Sequence, residues 1–456
     1  MKCKYLNEQV IIIDVDGFIG TYKTVNYTYN SSYSYYRSAK ETDTYNTHFT
    51  VYPTDKGNGE FTKFHISLNF SKTGIRNANI YYKNGVYSGY SDKNLTDAER
   101  KTFGVLLAEK QNQFNKIAEQ FWTKSQSEEK TSQERLRKLA ERNHIQQIKR
   151  KIEDDLLARE GVTGVDIDYK IKDGVKSNEL AIIIFVDKKH DVPSAMEIPK
   201  LIHGIKTDVW EGTFTPYSMN LKEVDNLSQN IVYDPIASPM IGGISVGPFD
   251  LAIYGTLGVV LETTYGVRMI LSSAHVLASS PHTIHGNHIS QPALPHGGHW
   301  PESDAGTYFT GFLGQPNNID AALATIVHRN TIPNEIMHIG QLTGRDVTFP
   351  GDDVAKFGRT TQFTVGKVIS DTLTFTVNYQ NFGNHIYYNQ LRIQDINPIV
   401  PFSLPGDSGS IVINEDKEVV GMIMAGGETA NGSKYTIANP INDIVRTFEA
   451  NGIRFI

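Results

Sequence analysis

A multidomain chain with an all-β C-terminal half is what the sequence predicts, and three observations carry that reading. From Ile236 onward, short apolar runs are broken by Gly, Asn and Asp, with one helical pattern at the end, Ile441 to Ala450; such spacing favours a sandwich or barrel. Residues 96–160 turn to Glu, Lys, Arg, Gln and Ala without a proline, the texture of charged helices. Residues 1–95 are dense in Tyr, Thr, Asn and Ser. At 456 residues the chain exceeds one ordinary core, and its length suggests about three domains.

In chain order, residues 1–95 read as a small antiparallel β domain. Phe64, Ile66, Leu68 and Phe70 alternate with His65, Ser67 and Asn69, which is the period of a half-buried strand. Asp55 to Gly59 and Asn84-Gly85 supply turns. Tyr22, Tyr27, Tyr29, Tyr33, Tyr35 and Tyr36 either serve strand propensity or present a ligand-binding face, with a glycan or lipid as the ligand. Residues 96–160 predict two long helices with a polar break over 123–132. Pairing of this segment with a second copy of the chain is the alternative to a solvated face. Residues 161–222 predict a small α/β sandwich: alternation at Val165, Ile167, Tyr169 and Ile171, a continuous apolar strand Leu180 to Val186, a short helix Pro193 to Leu201 and a strand Ile205 to Trp210. Residues 223–235 are the linker into 236–456.

Composition excludes several classes. Hydrophobic content of 39% and charged content of 21% are those of a globular protein with a sizeable core. The net charge of -6 gives no support for nucleic-acid binding. Cys3 is the only cysteine, so no intramolecular disulfide forms and a reducing compartment suits the chain. The apolar run after Gln9 is interrupted at Asp14 and Asp16, too short for a signal peptide or a membrane span. The expectation is a cytoplasmic protein without membrane insertion.

Chemistry concentrates in three blocks. Pro405-Gly406-Asp407-Ser408-Gly409-Ser410 places a serine on a tight, glycine-flanked turn before the apolar run Ile411 to Ile413. A serine hydroxyl needs a base to become a nucleophile, and the base needs an orienting acid. His275 ends the strand Ile270-Leu271-Ser272-Ser273-Ala274, and Asp320 opens the run Ala321 to Ala324, with Asp304 as its competitor.

In the order His275, Asp320, Ser408 these blocks resemble the chymotrypsin/trypsin-like serine peptidase family, over roughly the last 220 residues. Lys356-Phe357-Gly358-Arg359-Thr360-Thr361 with Val365-Gly366-Lys367-Val368 is similar to a strand-turn-strand element of single-chain intracellular bacterial trypsin-like peptidases. The resemblance implies a double β barrel with the site in its cleft. It implies a serine endopeptidase acting on protein or peptide through an acyl-enzyme, with Ser408 as nucleophile, His275 as base and Asp320 as its orienter. The amides of Gly406 and Ser408 would form the oxyanion hole, and Asp407 would anchor the loop. Met240-Ile241-Gly242-Gly243 resembles an activation sequence, so cleavage there is the alternative to an internal partner for Asp407. Phe402, six residues before Ser408, argues against basic specificity; with Gly421, Met422 and Ile423 it predicts a pocket for a small or apolar side chain.

No cofactor is expected. His282, His285, His288, His296 and His299 lack the acid or cysteine spacing of a metal site, and a solvated or substrate-flanking loop is the reading preferred to zinc. The added N-terminal domains imply regulation toward a specific protein partner. The rival class is a binding or scaffold protein with a protease-like fold.

Overall fold

The computed structural model describes residues 137–455 apart from 173–174, 192–196, 218–233, 279, 281–282, 284, 397–400 and 430–433. For seven N-terminal strands, for residues 133–136 and for Met219–Asn220 it describes the backbone alone. Two compact units result, 1–120 with 227–235 and 121–226 with 236–456. In the first, the strands Lys2–Asn7, Val10–Asp14, Val25–Tyr29, Thr44–Pro53, Lys63–Ser71, Gly74–Asn84 and Val86–Lys93 form one antiparallel sheet in chain order. The predicted alternating strand falls in Lys63–Ser71, and the Asn84-Gly85 turn joins the last two strands. The first predicted helix and the linker segment 221–233 lie outside the described residues.

Among the described residues the second unit holds two large sheets and a small one of Met240–Gly242, Thr331–Ile336 and Gly340–Gln341. In the first sheet Ile253–Thr256 pairs with Ser245–Pro248, and the order runs on through His288–Ser290, Asp304–Gly314, Ile319–Ile326 and Arg268–Ser272 to Val259–Glu262. Met219–Asn220 extends this sheet beyond Ile253–Thr256; Ile253–Thr256 and Val259–Glu262, at the two ends of the other seven strands, are consecutive in sequence, so the chain bending at Leu257 and Gly258 joins them and the sheet curls into a barrel. The second sheet closes by hydrogen bonds: Gln362–Tyr379, Asp353–Gly358, Ile411–Ile413, Glu418–Thr429, Lys434–Pro440 and Gly383–Asp395, the last pairing back to Gln362–Tyr379. Helix Ile441–Ala450, as predicted, buries Ile441, Ile444, Val445 and Phe448 in a core shared with both barrels.

The segment 161–222, expected as a separate sandwich, instead continues the second sheet. Val162–Lys172 pairs with Gln362–Tyr379, and Ile205–Pro216 pairs with Glu418–Thr429. The continuous apolar strand explains why. Residues buried on both faces of a strand must be covered twice. Ile182 and Ile184 pack with Ile145 and Leu156 of helix Gln133–Leu157. Ala181, Ile183 and Phe185 pack with Phe375, Tyr387 and Tyr435 of the barrel. Rings of Phe185 and Phe214 meet edge-on at 5.3 Å, and Phe214 meets Phe375 at 4.9 Å. Leu201, predicted as helical, lies in the short strand Leu201–Ile202.

A buried polar seam fixes this layer to the barrel. The Arg392 guanidinium donates to Asp166 at 2.7 Å and Asp168 at 2.8 Å, all three buried. Asp166 also accepts from Thr372, and its carboxylate pairs with Ser370. Removing one partner of such a buried pair strands the other charge, at about 3–5 kcal/mol. Asp166→Ala should therefore lower unfolding free energy by about 3 kcal/mol or more in chemical denaturation. A loss below about 1 kcal/mol, the range of a surface pair, would contradict the seam.

Candidate active site

Each block of the sequence becomes a defined local structure. Strand Arg268–Ser272 ends at Ser273, whose carbonyl accepts from the Val276 and Leu277 amides, and one helical turn Ala274–Leu277 carries His275 into the interior. Ser273 Oγ donates to the Ile423 carbonyl at 3.0 Å, tying this turn to the second barrel. Asp320 is the second residue of Ile319–Ile326, which pairs with Arg268–Ser272. Neighbouring strands thus place the two side chains together.

His275 Nδ1 is hydrogen-bonded to Asp320 Oδ2, and the His275 amide donates to Asp320 Oδ1 at 3.1 Å. Both residues are buried. Asp320 Oδ2 also accepts from the Tyr379 hydroxyl at 2.8 Å, and the Asp320 amide donates to Asn439 Oδ1 at 2.9 Å. Burial, then the Asp320 charge, pushes the Tyr379 phenol well above its ordinary pKa, so it remains a neutral donor. Asp304, the competitor, lies with His288 Nδ1 at 3.1 Å from its carboxylate instead. Tyr379 and Asn439 were not legible as site residues, because a lone tyrosine in a long strand reads as core.

Ser408 is fully buried. Its Oγ donates to the Met424 carbonyl at 3.3 Å, while His275 Nε2 is buried without a hydrogen-bond partner among the described residues. The His–Asp link is formed and the Ser–His link is not. The Thr256 amide donates to the Ser408 carbonyl at 2.8 Å, and Thr256 Oγ1 donates to the Gly406 carbonyl at 2.9 Å, so the first barrel clamps the serine turn.

Asp407 has internal partners. Its Oδ1 accepts from the amides of Thr360 (2.8 Å) and Thr361 (3.2 Å), and its Oδ2 from Thr361 Oγ1 (2.7 Å) and the Leu404 amide (3.0 Å). Lys356 Nζ lies 3.7 Å away. The Lys356-to-Thr361 motif, read as scaffold, is the cradle of this carboxylate. Met240, the alternative activation point, is buried in the strand Met240–Gly242.

The Gly406 amide donates at 2.6 Å to the carbonyl of Tyr217, a residue of this same chain. Gly406 has φ of 98°, a conformation that L side chains rarely adopt, and this aims its N–H at that carbonyl. The Tyr217 amide donates to the Met424 carbonyl at 3.4 Å, and Gly212–Pro216 runs antiparallel to Ala425–Thr429, Thr215 opposite Gly426. The Tyr217 ring lies on Gly426: a Cβ there would fall 1.8 Å from its hydroxyl oxygen and 1.9 Å from Cζ. Burial raises the pKa of its phenol, and the Ser403 side chain beside it acts in the opposite direction. Phe402 and Ile423 share the buried cluster containing Tyr217. Met422 instead faces the inter-barrel core, and Gly421 abuts Leu391 and Asn439. Of the four residues predicted to line a pocket for a small or apolar side chain, only Phe402 and Ile423 pack with the buried Tyr217, which fits there because Gly426 carries no side chain.

The histidine loop is otherwise engaged. His296 Nδ1 is 2.6 Å from Ser245 Oγ with its ring on Tyr254, His299 Nε2 is 3.6 Å from Glu302, and His285 meets the Phe309 ring. His282 lies outside the described residues. Among the described residues no group of three or more His, Cys, Asp or Glu is placed to hold a metal, and no helix is long and apolar enough to cross a membrane.

A buried serine, with a carboxylate-held imidazole on the helical turn that follows strand Arg268–Ser272, is an arrangement suited to acyl transfer. The chain is similar to bacterial chymotrypsin/trypsin-like serine proteases of solved structure. A Nocardiopsis protease is 18% identical over 48% of this chain and 99% of its own, with a TM-score of 0.34. Thermobifida fusca protease A is 19% identical over 48% and 99%, with a TM-score of 0.35. Cellulomonas bogoriensis chymotrypsin is 18% identical over 47% and 97%, with a TM-score of 0.32. No family model and no curated protein matches the chain.

Burial lowers the pKa of Lys356 to about 8, against the pull of Asp407. Between about pH 8 and the ordinary lysine value of 10.5 the unfolded chain holds a proton that the folded chain has released, so stability rises with pH across that window. Denaturation of wild type and Lys356→Met at pH 8 and pH 10 should show the wild type gaining on the variant, by up to about 3 kcal/mol. A constant difference would contradict this account of the cradle.

Proposed function

We propose that the chain is a serine endopeptidase. The observation that carries the reading is the peptide carbonyl held on the Gly406 amide beside Ser408. An oxyanion develops at that oxygen when a nucleophile adds to the carbonyl carbon, and a fixed N–H stabilises it there. Ser408 Oγ is the attacking atom once it turns from the Met424 carbonyl toward His275 Nε2. His275 takes the proton and returns it to the leaving amine. Asp320 holds Nδ1 and offsets the imidazolium charge, and Tyr379 fixes the carboxylate. Met424 to Gly427 supply the backbone edge on which an extended peptide pairs, and Gly426 and Ser403 favour an aromatic side chain before the scissile bond. Residues 1–235 restrain or address this chemistry toward a protein partner in the cytoplasm. Self-association through the helical segment belongs to the same proposal.

One observation favours the second reading, a binding protein with little turnover: Ser408 and His275 are not hydrogen-bonded. A fluorophosphonate probe separates the two. Labelling of the wild type, or of Tyr217→Asp where the pocket is vacated, with none in Ser408→Ala or His275→Ala, is expected of the enzyme. No labelling of any folded form would sink it.

Tyr379→Phe removes one charge-assisted hydrogen bond, about 1.5–3 kcal/mol. As a positioning residue it should lower kcat at least tenfold with KM little changed and shift the acidic limb of the pH–rate profile. An unchanged profile would leave Tyr379 a packing residue only.

A further inference from the structure

Two buried amide side chains stand behind Asp320. Asn439 and Gln390 are both fully buried, in paired strands of the second barrel where Leu391 lies opposite Ala438. Asn439 Oδ1 accepts from the Asp320 amide at 2.9 Å, which leaves Asn439 Nδ2 to donate to Gln390 Oε1 at 2.6 Å. Gln390 Nε2 then donates to the carbonyls of Tyr388 at 2.8 Å and Asn318 at 3.4 Å. Only one orientation of each amide suits these partners, because a flip sets donor against donor. Buried amides are costly unless fully bonded, so a barrel core alone gains nothing from this pair over apolar side chains. Its bonds end on the stretch of chain that carries Asp320.

That stretch is also held from outside the barrel. Asn318, two residues before Asp320 and left-handed at φ of 61°, exchanges two bonds with the Tyr388 backbone. The Tyr388 amide donates to Asn318 Oδ1 at 2.7 Å, and Asn318 Nδ2 donates to the Tyr388 carbonyl at 2.9 Å. Tyr388 lies in a bulge: Leu373 is opposite Gln390 and Phe375 opposite Tyr387, so Tyr388 and Asn389 together face Thr374. Helix Gln133–Leu157 grips both strands of the bulge. The Tyr388 hydroxyl donates to Asp154 Oδ1 at 2.8 Å, and Gln146 Nε2 donates to Asn389 Oδ1 at 3.3 Å. Thr374 Oγ1 accepts from Lys149 at 2.8 Å and donates to Glu153 at 2.6 Å.

We infer that Gln390 is a positioning residue for the reaction: with Asn439 it fixes the Asp320 backbone against His275, and through Tyr388 it ties that backbone to helix Gln133–Leu157. The inference rests on the hydrolase reading above. Asp320 steadies the imidazolium only while its carboxylate stays on Nδ1. A loosened backbone lets the carboxylate drift, so His275 gives up its proton at lower pH and becomes a weaker base. A helix that belongs to neither barrel thereby enters the chemistry without touching substrate.

The test follows the rate constant for fluorophosphonate labelling of Ser408 from about pH 5 to about pH 9. Two parents are used, the full wild-type chain and Tyr217→Asp, with Gln390→Met, Gln390→Glu and Tyr388→Phe made in each. Gln390→Met should label at least about tenfold more slowly, with the acidic limb of its profile moved to lower pH. Partial unfolding would instead lower the labelled fraction and leave the limb in place. Gln390→Glu keeps a donor and an acceptor while its buried carboxyl is protonated, and sets a charge against two carbonyls once ionised. Its rate relative to the parent should therefore fall as pH rises. Tyr388→Phe leaves both buried amides bonded and should move the limb the same way by a smaller amount. An unmoved limb in Gln390→Met with Ser408 still labelled overturns the positioning and spares the hydrolase; if that variant does not fold, a constant ratio in Gln390→Glu overturns it equally. An unmoved limb in Tyr388→Phe overturns the tie to the helix. No labelling of either parent overturns the hydrolase and the inference together.

Discussion

A buried carboxylate sets the terms for the site. Asp407 is out of water, and an ion so placed costs several kcal/mol unless paired and fully hydrogen-bonded. Four donors and the Lys356 ammonium meet that requirement, and they come from one strand-turn-strand element and from Leu404. With the carboxylate held there, Gly406 stands in a left-handed conformation with its amide on the Tyr217 carbonyl. In the proposed mechanism the Gly406 amide is thus positioned by electrostatics before any substrate arrives, which is the condition under which an oxyanion donor lowers a barrier. No terminal amine is needed to form it.

The second dependence is on the sheet. The backbone edge Met424 to Gly427 lies next to closed-barrel strands, and an unoccupied edge pairs readily with an extended segment. Here the strand Ile205–Pro216 takes that place, and it is anchored far from the cleft by Arg392 with Asp166 and Asp168 and by the aromatic packing of Phe185 and Phe214. The energy that holds Tyr217 in its pocket therefore comes largely from residues that never touch the catalytic groups. A chain arranged this way couples folding of the α/β layer to occupancy of the site.

Much of the site was legible because its parts are local. A serine between glycines, an Ala-His pair after an apolar strand and an aspartate opening the next run are each set by a few neighbouring residues, and the helix Ile441–Ala450 likewise declares itself by its own periodicity. What pairs with what was not legible. Alternation identifies Val162–Lys172 and Ile205–Pro216 as strands, yet nothing local says that their partners lie about 200 residues later in the second barrel. The pocket reading slipped for a related reason: Gly421 and Met422 are already paired with Val412 and Ile411, so the edge open to Ile205–Pro216 begins only beyond them, at Ala425–Thr429. Tyr379 and Asn439 reach Asp320 only through tertiary pairing. Tyr217 carries no signal beyond a proline before it.

Labelling of Ser408 tests the central claim, that Asp407 is held by internal partners and needs no new terminal amine, most directly. Full chain, as wild type and as Tyr217→Asp, is treated with a fluorophosphonate probe, and the labelled species are weighed under denaturing conditions. Labelling of uncut chain is the predicted result. Labelling found only in chain cut near Met240 would contradict the account.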